Sequence, residues 1–285
     1  MPQPFHAVLH ALRVHPVKSM AGYTPDSAAV EPWGLAGDRH WTLIDTAGKV
    51  VTQRQQPRLA LVGAEPGPDG GVRLSAPGLG ALTVGVPETG DRVVAEIFGT
   101  EVDAVLARPG SGERDADGVH RRLSGYLGAE VRLVHLDDPA RSRPVDPAFA
   151  LPGETVGFAD GFPLLVTTLA SLDALNSLVS QGDHPEEGPL PMDRFRPNLV
   201  VAGTTPWEED GWRRLAVGEV TFRVAKPCGR CVITTTDQRT AERGREPLRT
   251  LGRHRRLDGR LVFGQNLVPE STGTLRVGDA VTVLD

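Results

Sequence analysis

The residues of this chain best suited to chemistry lie in one run, Lys226-Pro-Cys-Gly-Arg-Cys-Val-Ile-Thr-Thr-Thr-Asp237. It holds Cys228 and Cys231, the only two cysteines among 285 residues. Two thiols three positions apart, with an arginine between them, admit four roles: zinc binding, disulfide exchange, burial as small hydrophobes, and thiolate ligation of a soft metal. Zinc needs a second pair of ligands, but no second cysteine pair exists and His254 stands alone among arginines. Disulfide exchange prefers its first cysteine at a helix N-terminus, whereas the β-branched run Val232–Thr236 predicts a strand. Burial is the usual fate of a lone cysteine, yet Pro227, Gly229 and Arg230 predict an exposed loop. In the fourth role Arg230 would favour a neighbouring thiolate and offer donors to an anion. That combination suits a cofactor carrying both a thiophilic metal and negative charge.

The elements that must position these residues read as short strands between turns. The length suits one large domain or two small ones. Its 33 glycines and 24 prolines are scattered along the chain, which predicts many turns. Strands are expected over 6–17, 73–74, 82–86, 92–98, 102–106, 131–136, 162–168, 198–202, 220–225, 232–236, 261–268 and 280–284. A hairpin is expected around Thr46-Ala-Gly48. Helices are expected over 119–127, closed by Gly128, and over 169–179, where Leu172, Leu175 and Val179 share a face. Thr168 suits the N-cap of that second helix, and the free N–H groups of a helix start can hold a phosphate or a ring edge. Residues 137–153, rich in Pro, Arg and Asp, read as a linker or mobile loop. The fold class expected is mainly β with a few helices (α+β), in two unequal parts.

Bulk properties exclude several roles. A formal net charge of -5 argues against a general nucleic-acid binder. No apolar run reaches the roughly 18 residues of a spanning helix, and the start of the chain lacks the basic and apolar regions of a signal peptide. Two cysteines cannot build a disulfide framework, so a cytoplasmic location is expected.

The cysteine run resembles the signature of the MOSC domain, the molybdenum cofactor sulfurase C-terminal domain. Val14-His-Pro-Val-Lys-Ser19 is similar to the Tyr-Pro-Val-Lys-Ser start of the associated N-terminal β-barrel domain. Gly37-Asp-Arg-His-Trp-Thr-Leu-Ile-Asp45 and Thr52-Gln-Arg54 match its next blocks. Arg194-Phe-Arg-Pro-Asn-Leu-Val200 resembles the Phe-Arg-Pro-Asn block of the MOSC part. Glu246-Pro-Leu-Arg-Thr-Leu251, Phe263-Gly-Gln265 and Val277-Gly-Asp279 complete the series in order.

The resemblance implies an N-terminal β-barrel-like domain over 1–128 packed with a MOSC β-barrel domain over 129–285. It implies an oxidoreductase that holds a molybdenum cofactor (Mo-molybdopterin), needs no pyridoxal phosphate, and reduces amidoximes, hydroxylamines and N-hydroxylated bases. By family position Cys231 is the metal ligand and the catalytic residue, with Cys228 in support. The same likeness assigns cofactor binding to Lys18, Ser19, Arg39, Thr167, Thr168, Arg196, Asn198, Gly229 and Arg230. Arginine forks suit phosphate and pterin carbonyls. Asp237, Asp193 and His15 lie near motif residues and are the carboxylates and imidazole to weigh as proton donors. Gly229 stands where relatives often carry Ser. Some relatives carry a four-cysteine iron–sulfur module, for which this chain has no cysteines to spare. Electrons would then come from a separate protein, a ferredoxin or a cytochrome b5-like protein with its reductase. The competing reading is a carrier of the cofactor or of sulfur, with Cys231 as the carrier thiol. A cofactor-free interaction module is the third.

Overall fold

A computed structural model describes residues 6–87, 90–109 and 118–285. The fold is mainly β, with three α-helices among the described residues: α1 (Gly118–Leu127), α2 (Leu169–Ser180) and α3 (Leu248–His254).

The largest sheet runs in the order Val8–Leu12, Leu199–Ala202, Leu164–Thr168, Arg260–Pro269, Val220–Gly229, Arg214–Val217 and Val281–Val283. Its two ends meet. Val8 bridges Ala280, and the backbone N–H of Leu9 donates to the Asp279 carbonyl at 2.8 Å. The sheet therefore nearly closes into a barrel, which satisfies edge groups that would otherwise template aggregation. Its inward residues are apolar: Leu12, Leu164, Val166, Val201, Leu215, Phe222 and Leu267 are all buried. Only one pair in it is parallel, Leu164–Thr168 with Leu199–Ala202, and α2 supplies the crossover that a parallel pair requires.

A five-stranded sheet is ordered Val50–Val51, Trp41–Ile44, Arg132–His135, Thr100–Leu106, Arg92–Ile97. A four-stranded sheet from Gly63–Pro66, Val72–Ala76, Gly80–Gly85 and Arg108–Pro109 stands against it. Trp41, Leu43, Leu74, Leu82, Leu123 and Leu127 form their shared core, with α1 contributing one apolar face. The sequence division at 128/129 falls between α1 and the strand Arg132–His135. That strand pairs with Trp41–Ile44 and Thr100–Leu106, while Val8–Leu12 pairs with Leu199–Ala202.

Two expectations are corrected. The run after Cys231 is a 3-10 turn over Val232–Thr235, not a strand. The Thr234 hydroxyl donates to the Cys231 carbonyl at 2.8 Å, and the Thr235 hydroxyl to the Val232 carbonyl at 2.9 Å. Local back-bonding of this kind outcompetes the β preference of a threonine run. Residues 137–153 are not a free linker. Arg143–Pro144 pairs with Thr155–Val156, and Asp146 holds Lys226 at 2.5 Å. By contrast, α2 begins where the pattern placed it, with the Thr168 hydroxyl accepting from the Ser171 N–H at 3.1 Å.

Glycine is needed at one position that shapes the barrel wall near the cysteines. Gly264 has φ +75°, and a Cβ there would stand 2.6 Å from the Val166 carbonyl oxygen. No L side chain fits that approach.

Candidate functional site

The strand Val220–Gly229 loses register with its partner Arg260–Pro269 between Pro227 and Gly229. Irregularities of this kind re-aim side chains at sheet rims. The chain then leaves the sheet. Arg230 N–H bonds the Leu261 carbonyl at 2.7 Å, and Cys231 occupies the N-cap of the 3-10 turn with an extended backbone. Both cysteines are half-buried, unpaired thiols.

They open on a cleft lined by Lys18, Ser19, Arg39, Arg196, Asn198, Gly229 and Arg230 together with Asp160 and Asn266. Eight of the ten residues that the resemblance assigns to the cofactor, Cys231 among them, therefore meet at one place. Thr167 and Thr168 do not line it. Both are fully buried: Thr167 donates to Met192 Sδ at 3.2 Å, and Thr168 caps α2 beside Glu209. Asp237, Asp193 and His15 also lie outside the cleft lining. Asp237 accepts from Arg194 Nη2 at 3.1 Å and from the backbone of Arg239 and Thr240. His15 and Asp193 line a second cavity that shares Arg196 with the first.

The cations are held in graded fashion. Lys18 Nζ donates to the Phe158 carbonyl at 2.8 Å and to Asp160 at 2.5 Å. Burial lowers the Lys18 pKa, and Asp160 opposes that. Burial raises the Asp160 pKa, but Lys18 and then Arg54 outweigh it and hold the carboxyl well below its ordinary value. Asp160 is thus a fixed negative charge. Arg39 has its donors engaged, on Asp38, on Asn198 Oδ1 at 2.9 Å and on the Arg196 carbonyl at 3.1 Å. Asn198 is also committed, since its amide oxygen accepts from Leu165 N–H at 3.2 Å and its Nδ2 donates to the Arg13 carbonyl at 3.2 Å. These two residues fix the backbone that carries Arg196.

Arg196 is the exception. Its Nη2 is buried and has no hydrogen-bond partner. Burial and then the neighbouring Arg39 lower its pKa to about 9. An unmatched buried donor is costly, so this guanidinium is arranged for a group that accepts hydrogen bonds and carries negative charge. Backbone strain agrees. Ser19, Arg39 and Arg196, with φ of 66°, 52° and 54°, are left-handed although none is glycine. Outliers of this type persist where the surroundings over-determine them, commonly at functional sites.

Two thiols complete the arrangement. Arg230 Nη1 donates to Cys228 Sγ at 2.9 Å, and its Nη2 to the Phe195 carbonyl at 2.7 Å. Arg54 Nη2 donates to Cys231 Sγ at 3.3 Å. Arg54 comes from the N-terminal part of the chain, and its backbone is held there by Arg243 Nη2, which donates to the Gln53 and Arg54 carbonyls at 2.6 and 2.8 Å. Sequence reasoning quoted Arg54 in a motif without placing it in the site, and it passed over Asp160. The donor set of thiols among guanidiniums and an ammonium, with Arg196 Nη2 and Arg230 Nε both unmatched, fits an anionic group carrying a thiophilic metal.

Residues 153–282 match the MOSC domain, and residues 6–129 match the MOSC N-terminal beta barrel domain. The chain is 34% identical to mitochondrial amidoxime-reducing component 1 of Danio rerio over 96% of its own length and 84% of that protein. It is 31% identical to the Homo sapiens protein of the same name, over 96% of the chain and 82% of that protein. It is 29% identical to a molybdenum cofactor sulfurase of Oryza sativa subsp. japonica, over 90% of the chain but only 32% of that longer protein.

Proposed function

The chain belongs to the MOSC family and carries that family's N-terminal β-barrel companion, and from this premise we propose that it holds a molybdenum cofactor and reduces N-hydroxylated compounds to their N–H forms. The observation that carries the reading is the setting of Cys231. Its thiol faces Arg54 at 3.3 Å, beside a cleft walled by Lys18, Arg39, Arg196 and Arg230. When bound, the cofactor supplies two-electron abstraction of oxygen from an N–OH group, which is chemistry no side chain here provides.

The protein's own part is position and charge. Cys231 would be the ligand to the metal, on a 3-10 N-cap whose carbonyl is fixed by Thr234. Arg196 Nη2, buried without a partner, would offer its free donor to an anionic acceptor of the cofactor. Lys18, Ser19 and the Gly229–Arg230 backbone line the remaining wall. Arg39 and Asn198 act through the Arg196 backbone rather than by direct contact. Arg230, turned to Cys228, keeps that second thiol occupied and out of the ligand set. Asp160 remains ionised and balances Lys18 and Arg54, so it orients cations rather than donating a proton. Electrons for the reduction would come from a separate redox protein of ferredoxin or cytochrome b5 type. No helix among the described residues is long and apolar enough to cross a membrane.

The test is reduction of benzamidoxime by cofactor-loaded protein with a chemical electron donor. Turnover that disappears in the unloaded protein supports the reading. Protein that carries molybdenum yet reduces no N-hydroxylated compound contradicts it.

A further inference from the structure

One exposed aromatic stands against two cations of the cleft, and burial does not account for its position. The strands Arg92–Ile97 and Thr100–Leu106 form a hairpin in which Ile97 pairs with Thr100. The two-residue loop is Phe98-Gly99, with φ of 53° and 78°. Positive φ at both central positions marks the twist-matched hairpin turn that Asn-Gly or Gly-Gly ordinarily fills. A bulky aromatic at the first position is a local outlier. Burial does not compensate for it, because Phe98 is 60% exposed.

What the ring does contact belongs to the site. Lys18 Nζ lies 5.6 Å from the ring centroid and Arg54 Cζ lies 5.5 Å from it. Both cations also approach Asp160, Lys18 at 2.5 Å and Arg54 at 3.9 Å. Two cations of the site therefore flank the ring, while the residue stays largely exposed to solvent. Arg54 touches the Cys231 thiol with the same guanidinium that lies under the ring. One side chain thus separates the exposed ring from the proposed metal ligand.

We infer that Phe98 is a substrate-recognition residue, whose open face stacks planar, conjugated N-hydroxylated compounds (aryl amidoximes, N-hydroxylated bases) and directs their N–OH end toward Cys231. The inference rests on the function proposed above and names its substrate class. Stacking on an aromatic face tolerates varied planar rings because every such ring has a π-face. The cations beneath the ring hold it in place by cation–π attraction. The strained turn holds it at the rim, which is what a pre-organised contact needs. A ring that merely shielded Lys18 and Asp160 from water would be replaceable by any apolar side chain of similar size, and that difference is testable.

The experiment compares the loaded wild-type protein with Phe98→Leu and Phe98→Trp. Benzamidoxime and acetamidoxime are each titrated calorimetrically, and in parallel each is offered for turnover with a chemical reductant. Phe98→Leu is expected to weaken benzamidoxime binding about tenfold and raise its KM in step, through loss of the stacking face. Acetamidoxime should change less than about twofold in both variants, and Phe98→Trp should keep the wild-type affinity for benzamidoxime. Equal behaviour of the two substrates in Phe98→Leu overturns the inference, whatever the turnover. A tenfold loss of aromatic binding without turnover in any protein leaves the stacking role standing and removes the reductase reading. If Phe98→Leu changes only the KM of a protein electron donor, the ring is a docking residue and the inference fails.

Discussion

Arg54 and Cys231, 177 positions apart in sequence, meet with the guanidinium Nη2 3.3 Å from the thiol sulfur. The contact ties the N-terminal sheets to the barrel at the one residue assigned to bind metal. Arg243 reinforces it from the loop that follows the cysteine turn, through the carbonyls of Gln53 and Arg54. The site is therefore not a property of the barrel alone.

Removing that contact should loosen the cofactor without unfolding the chain. In Arg54→Ala, retained molybdenum after gel filtration is expected to fall severalfold, since a charge-assisted hydrogen bond of about 1.5–3 kcal/mol is lost. Arg54→Lys should restore part of it. Metal analysis of the two variants beside wild type decides this; unchanged retention in Arg54→Ala removes the residue from the site.

The two cysteines should behave differently. Cys228 is held by Arg230 at 2.9 Å, so Cys228→Ala frees that guanidinium but leaves the ligand. Molybdenum retention should drop only modestly. Equal and complete loss in Cys228→Ala and Cys231→Ala would show that the thiols act as a pair.

Arg196 separates folding from loading. Its buried Nη2 has no hydrogen-bond partner and sits near Arg39, so Arg196→Met removes an unmatched, repelled cation. Urea unfolding of the unloaded variant should show stability equal to or up to about 1–3 kcal/mol above wild type. Its cofactor occupancy should nevertheless be lower. A strongly destabilised unloaded variant would make Arg196 a structural residue.

The acid limb of stability should be set by neutral histidines. Burial, and then the nearby His40, lowers His135 from 6.5 to about 4, while Asp137 opposes this. The unfolded chain binds the proton first, so stability is full above about pH 6.5 and falls as the pH drops toward 4. The slope from this group is about 1.4 kcal/mol per pH unit. Burial also lowers His15 and His40, and both add in the same direction. Urea midpoints at pH 7 and pH 5 should therefore differ, and His135→Gln should reduce the difference. A midpoint that does not fall between pH 7 and 5 would contradict it.

Much of the site was legible in sequence because it is made of short motifs. Lys18, Ser19, Arg39, Arg196, Asn198, Gly229, Arg230 and Cys231 are assigned through the resemblance of their short runs to family motifs rather than through residue type alone, and the fold brings all eight to one cleft. Helix α2 and its Thr168 cap were equally readable, since both rest on local periodicity and a local hydrogen bond. Failures arose where long-range geometry decides. Asp160 and Arg54 gain their roles only through partners 142 and 177 positions away. Thr167 and Thr168 carry a plausible anion-binding signature, but α2 starts against Glu209 and away from the cleft. The threonine run after Cys231 has strand propensity, yet its hydroxyls bond back to the preceding carbonyls and tighten it into a turn. Residues 137–153 look like a linker by composition, while Arg143 and Asp146 anchor them beside the site.

The most direct test of the account is molybdenum per chain, by elemental mass spectrometry, in wild type and Cys231→Ala made in a host that synthesises the cofactor. The account predicts stoichiometric molybdenum in wild type and almost none in the folded variant. Folded wild-type protein without molybdenum, or equal molybdenum in both, would contradict it.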